Sequence, residues 1–279
     1  MSYFPYAQEL GARYTLTGGG VSAVFNDQSS ADYVGIVREV GGLDGAEVRE
    51  SADDIVEGDG GRHGAFYFGR RPITFTVMVL NPASALDRAT RLDKLRRVCT
   101  AGLRADISLS WIPTWGTTPD VNYVAMYTPV RLQQPLREQG NWQKTVSISL
   151  VSEFAPLFSN ALRSSPSIAS GASAVLENKG SFPAAPVFRV TGATTAQTVI
   201  TNTTTGKVLK LVTGYVIPAG QLRVIDVVNQ SMTDTGGVAN YNDKIDWSAS
   251  TWPTLASGNN TFSLTGGGSL VVEWRDTWA

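Results

Sequence analysis

Residues 72–80 read Pro72-Ile73-Thr74-Phe75-Thr76-Val77-Met78-Val79-Leu80. In an extended chain, side chains alternate between faces, so Ile73, Phe75, Val77 and Val79 share one side. Thr74, Thr76, Met78 and Leu80 share the other. The segment predicts a largely buried strand. Immediately after it the period changes. Residues 84–100 place Leu92, Leu95 and Cys99 at helical spacing, continued by Leu103. Ser84 is the predicted N-cap, with Asp87 at the third helical position and Asn81-Pro82 ahead of the start. Arg96 and Arg97 are placed in the last turns, where cations suit the helix dipole, and Gly102 is the predicted stop.

Strand patterns surround this pair. Residues 143–151 put Val146, Ile148 and Leu150 inward and Thr145, Ser147 and Ser149 outward. Val124, Met126, Val130 and Leu132 alternate with Tyr123, Tyr127 and Arg131, beside a strand over 105–111. The first half therefore predicts a β-rich or α+β domain with one packed helix. Residues 161–174, ALRSSPSIASGASA, are small and polar and read as an exposed linker. Residues 1–160 carry 15 basic and 17 acidic side chains, against 8 and 7 in residues 161–279. After the linker come six short strand candidates, 186–190, 198–201, 208–212, 221–228, 260–264 and 269–274. Turn signals separate them, including Gly192, Gly220 and Gly266-Gly267-Gly268. That rhythm predicts a β-sandwich.

The 279 residues hold 17% charged side chains, with a net charge of -1. A surface that wraps nucleic acid needs a basic excess, which is absent. The one cysteine, Cys99, excludes an internal disulfide. It falls on the apolar side of the helix, where a thiol acts as a small hydrophobe. No run approaches the ~18 apolar residues that span a bilayer. Met1–Tyr6 lack a basic region followed by an apolar run, so the chain is expected to be soluble and made in the cytoplasm.

Candidate chemistry is sparse, and the predicted catalytic, cofactor-binding and metal residues are none. His63, the one histidine, lies in Gly58-Asp59-Gly60-Gly61-Arg62-His63-Gly64. It lacks a recognisable nucleophile elbow and reads as part of a mobile glycine loop. Asp53, Asp54, Glu57 and Asp59 cluster, but not at the spacing of a calcium loop, and read as solvated acids. Gly18-Gly19-Gly20 and Gly266-Gly267-Gly268 lack the Lys-Ser/Thr of a phosphate loop and predict hairpins. Trp247, Trp252, Trp274 and Trp278 crowd the last 35 residues. Such rings fill cores or bind sugars and proteins. Trp274 is assigned to the core, and Trp278 is the predicted exposed contact. One charge pattern remains. Residues 32–59 hold 9 acids and 2 bases; residues 62–104 hold 9 bases and 2 acids. The halves pair within one subunit, or they meet head to tail between neighbours in a ring.

Taken in order, several motifs resemble the siphophage distal tail proteins. They are the acidic segment, Gly58-Asp59-Gly60-Gly61, Gly69-Arg70-Arg71-Pro72-Ile73-Thr74-Phe75, the helix and Glu153-Phe154-Ala155-Pro156-Leu157-Phe158. The second half resembles the same family through Asn178-Lys179-Gly180, Thr201 to Gly206, Ile217-Pro218-Ala219-Gly220 and Ser257 to Phe262. The resemblance implies a mainly β fold. Residues 1–160 would form a ring-forming, β-barrel-like domain with one packed α-helix. Residues 161–174 would link it to a galectin-like β-sandwich over 175–279. It implies no enzyme and no cofactor. It implies a structural virion protein at the phage tail tip: a hexameric ring joining the tube of a long non-contractile tail to the tip hub, with DNA passing through its lumen. The implied partners are the chain itself (a homo-hexamer), the tail tube protein, a central tail-tip or tail-associated protein and receptor-binding proteins. Sequence-specific nucleic acid and membrane insertion are not implied. Residues 111–139 exceed what a minimal ring domain needs and suggest an arm around a neighbour. Two rivals stand beside this reading: a carbohydrate-binding host-attachment protein acting through the C-terminal sandwich, and a hydrolase of cell-wall glycan using two carboxylates.

Overall fold

A computed structural model describes residues 12–43, 48–54, 61–79, 83–112, 126–139, 144–153 and 156–278. Only backbone is described at 48–54, 61–68, 126–127 and 137–139. The chain forms two compact units, the first ending at Asn160 and the second spanning Ala161–Trp278.

The first unit contains β1 (Arg13–Gly18), β2 (Val21–Phe25), β3 (Tyr33–Gly41), β4 (Val48–Asp54), β5 (Gly61–Phe68) and β6 (Arg71–Val79). After α1 (Ala85–Gly102) come β7 (Ile107–Ile112), β8 (Met126–Leu132), β9 (Arg137–Gln139), β10 (Lys144–Ser152) and β11 (Leu157–Ser159). Hydrogen bonding runs β8-β7-β1-β2-β3-β6-β10, and β10 pairs back to β8 through Leu150↔Leu132, so seven strands close a barrel. The pairs are antiparallel except β2–β3. Closure removes the sheet edges that invite unwanted pairing.

Inside stand Tyr14, Leu16, Ile73, Phe75, Val77, Leu109, Val130, Val146, Ile148 and Leu150, all buried. The period-two reading of 73–79 and 146–150 holds on this face. The other face of β6 is half-exposed rather than buried, because Pro72 and Thr74 face solvent and only Thr76 and Met78 are partly covered. Helix α1 packs against β1, β2 and β3 through Leu92, Leu95, Val98, Cys99 and Gly102. Ser84 caps it, accepting from the Asp87 N–H at 3.0 Å, and Asp87 accepts from the Ala83 N–H at 2.9 Å. Its C-terminus departs from expectation. The last turn holds no cation, and Leu103 is the exposed C-cap. Gly102 serves packing, since a Cβ there would meet Ile107 at 3.0 Å.

The second unit contains β12 (Arg163–Ser164), β13 (Ile168–Ala169), β14 (Ser173–Asn178), β15 (Val187–Asn202), β16 (Lys207–Lys210), β17 (Leu222–Asp226), β18 (Ser231–Thr233), a 3₁₀ turn at Asn242–Lys244, β19 (Gly258–Trp274) and β20 (Thr277–Trp278). The stretch read as a linker is folded: β12, β13 and the start of β14 pair with β19, and Ile168 is buried. Its small side chains satisfy a sheet because the partner strand supplies the bulk.

Two of the predicted breaks are not breaks. β15 and β19 run 16 and 17 residues and pair along their length, with register shifts between Thr191 and Val199. Gly266-Gly267-Gly268 is therefore a bend within one strand, not a hairpin turn. All three have positive φ (96°, 89° and 73°), which suits glycine. A Cβ on Gly266 would lie 2.3 Å from the Gln197 carbonyl oxygen. At this corner both strands pass from one layer to the other, as bulged strands do in crossed sandwiches. One layer is β12 and β13, the end of β19, the start of β15, β17 and β18. The other is β14, the start of β19, the end of β15 and β16. Phe188 from the first layer meets Phe262 from the second, ring centroids 5.8 Å apart, within a core that includes Val190, Ile200, Ile225 and Leu270.

Candidate functional site

The residues weighed for chemistry do not converge. Among the described residues no group of three or more His, Cys, Asp or Glu side chains could hold a metal. His63 lies on β5 opposite Ala52 of β4. Asp53 and Asp54 lie on β4 opposite Arg62 and Gly61, while Glu57, Asp59 and the loop 55–60 fall outside the described residues. The glycine loop is thus shorter than expected, because Gly61–Gly64 already belong to a strand. Cys99 is buried, and desolvation pushes its thiol up to about 12. A cavity of about 190 Å³ on the first unit is lined by Arg13, Thr15, Ser110, Trp111, Ile112 and Asn160, with no acid or imidazole to move a proton.

The first unit carries an element outside its barrel. β4 and β5 form a two-stranded sheet of their own, inserted between the barrel neighbours β3 and β6. A lone hairpin is at best marginally stable in water and carries open edges on both sides. Its root is firmly held. Gly42 has φ 84°, and a Cβ there would lie 1.8 Å from the Pro72 carbonyl oxygen. Across from it Arg71, fully buried, donates to the Leu43 carbonyl at 2.9 Å. Only the Gly-Arg-Arg-Pro string hinted at this clamp in the sequence. The arm expected over 111–139 lies partly outside the described residues, at 113–125; what is described there is the β7–β8 pairing, Ile107↔Val130 to Trp111↔Met126.

The charge asymmetry resolves in part within the subunit. Lys94 of α1 pairs with Asp32 at 2.8 Å and donates to the Ala31 carbonyl at 2.6 Å. Arg91 and Arg97 pair instead within the basic segment, with Asp87 at 2.8 Å and Asp93 at 3.2 Å, and Arg91 lies 5.0 Å over the Tyr33 ring. The Ala83 N–H and then Arg91 hold the Asp87 carboxyl below its ordinary value. Exposed pairs of this kind contribute little stability, about 0–1 kcal/mol each. Other acids of the segment, Glu50, Asp53 and Asp54, ride on the hairpin.

In the second unit the four tryptophans separate. Trp274 is buried, as expected. Trp278 is buried too, against expectation, because the preceding residue is pinned: the Thr277 N–H donates to Asn178 Oδ1 at 3.3 Å, and the Thr277 carbonyl accepts from the Phe182 N–H at 2.9 Å. Trp247 is the exposed ring, at 49%. It packs on Trp252 with centroids 5.5 Å apart and planes at 47°.

Comparison with known proteins gives these arrangements a context. Residues 179–278 match the family model described as the siphovirus-type tail component, C-terminal domain. No curated protein sequence matches the chain. The crystal structure of the distal tail protein (Dit) of phage SPP1, described as a paradigm of the hub adsorption apparatus in phages infecting Gram-positive hosts, is 15% identical. That match covers 94% of this chain and 98% of that one, with a TM-score of 0.67. A chain of the phage P2 baseplate in its calcium-activated conformation is 9% identical, covering 95% and 97%, with a TM-score of 0.56. The same baseplate activated with strontium gives 10%, 95%, 97% and 0.54. The chain thus carries the fold seen in the SPP1 Dit protein, and its residues 179–278 are similar to the C-terminal domain of the siphovirus-type tail component family.

Proposed function

We propose that this chain is a non-enzymatic virion protein that forms a hexameric ring at the distal end of a long non-contractile phage tail. The carrying observation is the fold shared over nearly the whole chain with a hub protein, together with the tail-component family match over residues 179–278. In this reading the first unit makes the ring. The second presents surfaces to the rest of the tip. The tail tube protein and a central tail-tip protein are the neighbours, receptor-binding proteins attach beyond, and DNA passes through the lumen.

The β4–β5 hairpin supports the reading. A ring needs two different, complementary surfaces on each copy. A clamped two-stranded hairpin bearing acids, on a unit whose helix is rich in cations, supplies both kinds. The test is the solution mass of the full chain by light scattering across a concentration series, with negative-stain images of the largest species. A six-fold ring with a central hole is expected. A monomer at every concentration, alone and mixed with the tube protein, overturns the reading.

A further inference from the structure

Arg223 of β17 is only 5% exposed, yet no carboxylate among the described residues pairs with it. Its Nε donates to the Tyr215 hydroxyl at 2.8 Å, one terminal nitrogen to the Leu222 carbonyl at 3.1 Å and the other to Gln221 Oε1 at 2.7 Å. A guanidinium has five N–H donors, so two have no acceptor among the described residues. Its face lies 3.9 Å over the Tyr241 ring. Neutral oxygens and an aromatic face thus hold a desolvated cation that has no counter-charge. That is an expensive arrangement, and what it lacks is an anion. A second cation, Lys244, pairs with Asp243 at 2.6 Å and is raised above its ordinary value chiefly by that acid and to a lesser degree by Tyr215, whose hydroxyl accepts from Arg223.

The exposed tryptophan is joined to this group through the 3₁₀ turn. Tyr241 opens the 3₁₀ turn, and the next residue, Asn242, accepts at its carbonyl from Trp247 Nε1 at 3.0 Å. That bond and the contact with Trp252 fix the Trp247 ring. The loop beneath is stapled to β16, since Thr251 Oγ1 accepts from the Val208 N–H at 2.8 Å and Ser250 Oγ from the Lys210 N–H at 3.0 Å. Trp252 is held at φ 49°, a left-handed conformation uncommon for a bulky residue. Backbone strain of this kind concentrates where a side chain must be held for a purpose. A rigid ring with an open face suits the apolar face of a pyranose. A guanidinium lacking an anion suits a carboxylate or phosphate.

We propose that the surface formed by Tyr215, Gln221, Arg223, Tyr241, Lys244 and Trp247 binds an anionic saccharide, the ring stacked on Trp247 and the acidic substituent facing the Arg223 side. This goes beyond the ring reading and does not depend on it. The experiment is two-dimensional NMR of the full chain, following the indole N–H signals of Trp247 and of its neighbour Trp252, the latter serving for W247A. Glucuronate, glucose 6-phosphate, glucose, inorganic phosphate and a short polyglutamate peptide are titrated separately. A saturable shift with glucuronate or glucose 6-phosphate, at least tenfold tighter than with glucose, is expected, and the stronger of the two tells carboxylate from phosphate. W247A, which alters an exposed ring, should weaken binding at least tenfold. R223Q should erase the preference for the charged sugar, and R223K should restore part of it. Equal binding of glucose and the charged sugars overturns the proposal, as does unchanged affinity in W247A, or no shift with either. Tight polyglutamate binding that survives W247A assigns the surface instead to an acidic polypeptide.

Discussion

The two units close their sheets by opposite means. In the barrel, seven separate strands are joined into a circle by a last pairing, β10 to β8, and each strand stays in one curved layer. In the sandwich, two long strands do the joining themselves, since β15 and β19 bend at a shared corner and belong to both layers. The barrel is thus shaped chiefly by side chains: alternate large residues such as Leu109 and Trp111 fill its interior. The sandwich is shaped at its corner by backbone, where three consecutive glycines in a left-handed conformation pass close to the Thr191–Gln197 segment. The difference moves the critical positions from bulky residues to residues without a side chain.

Substitutions can break or sharpen that contrast. The largest effect is expected at the corner. G266V needs a β-branched side chain at φ 96° with its Cβ 2.3 Å from a carbonyl oxygen. The sandwich should lose about 4 kcal/mol or more, read by urea unfolding. The control is G237V, also at positive φ (69°) but with nothing within 4 Å, which should cost about 1 kcal/mol. Equal losses would remove the corner's special role. Next is L109A in the barrel, which opens a cavity at a fully buried site and should cost about 3 kcal/mol in the first unit. A loss below 1 kcal/mol would show that side-chain volume does not hold the barrel open. The smallest effect concerns acid. Because Asp87 titrates below the ordinary 3.8 in the folded chain, its contribution is present above that value and fades as pH falls through the lower folded one. D87N should flatten that portion of the acid-stability curve of the first unit; an unchanged curve would show the cap to be silent.

The legibility of these features in the sequence follows the range of the interactions that make them. The strands at 73–79 and 146–150 were readable because the pattern repeats every second residue. The helix start was readable because Ser84, Asp87 and Ala83 complete their hydrogen bonds within one turn. What depended on distant partners was not. Residues 161–174 look like a linker until β19, about a hundred residues later, pairs with them. Gly266-Gly267-Gly268 announces a left-handed backbone, but whether the chain then reverses or merely bends is decided by β15 alongside. Trp278 looked exposed because its anchors, Asn178 and Phe182, lie about a hundred residues away. Arg223 carried no signal, since a missing counter-charge is visible only once every neighbour is in place.

The pairing of Arg163 with Trp274 also has a consequence in time. The barrel's ring of strands is complete once Ser152 has been made, so it can close while the rest is still being translated. The sandwich has no such early stage. Among the described residues its first strands, β12 to β14, pair with β19, and β15 pairs with β19 along most of its length. Strand pairings this far apart in sequence form slowly. On the ribosome the second unit therefore waits, unpaired at its leading edge, until its last long strand emerges.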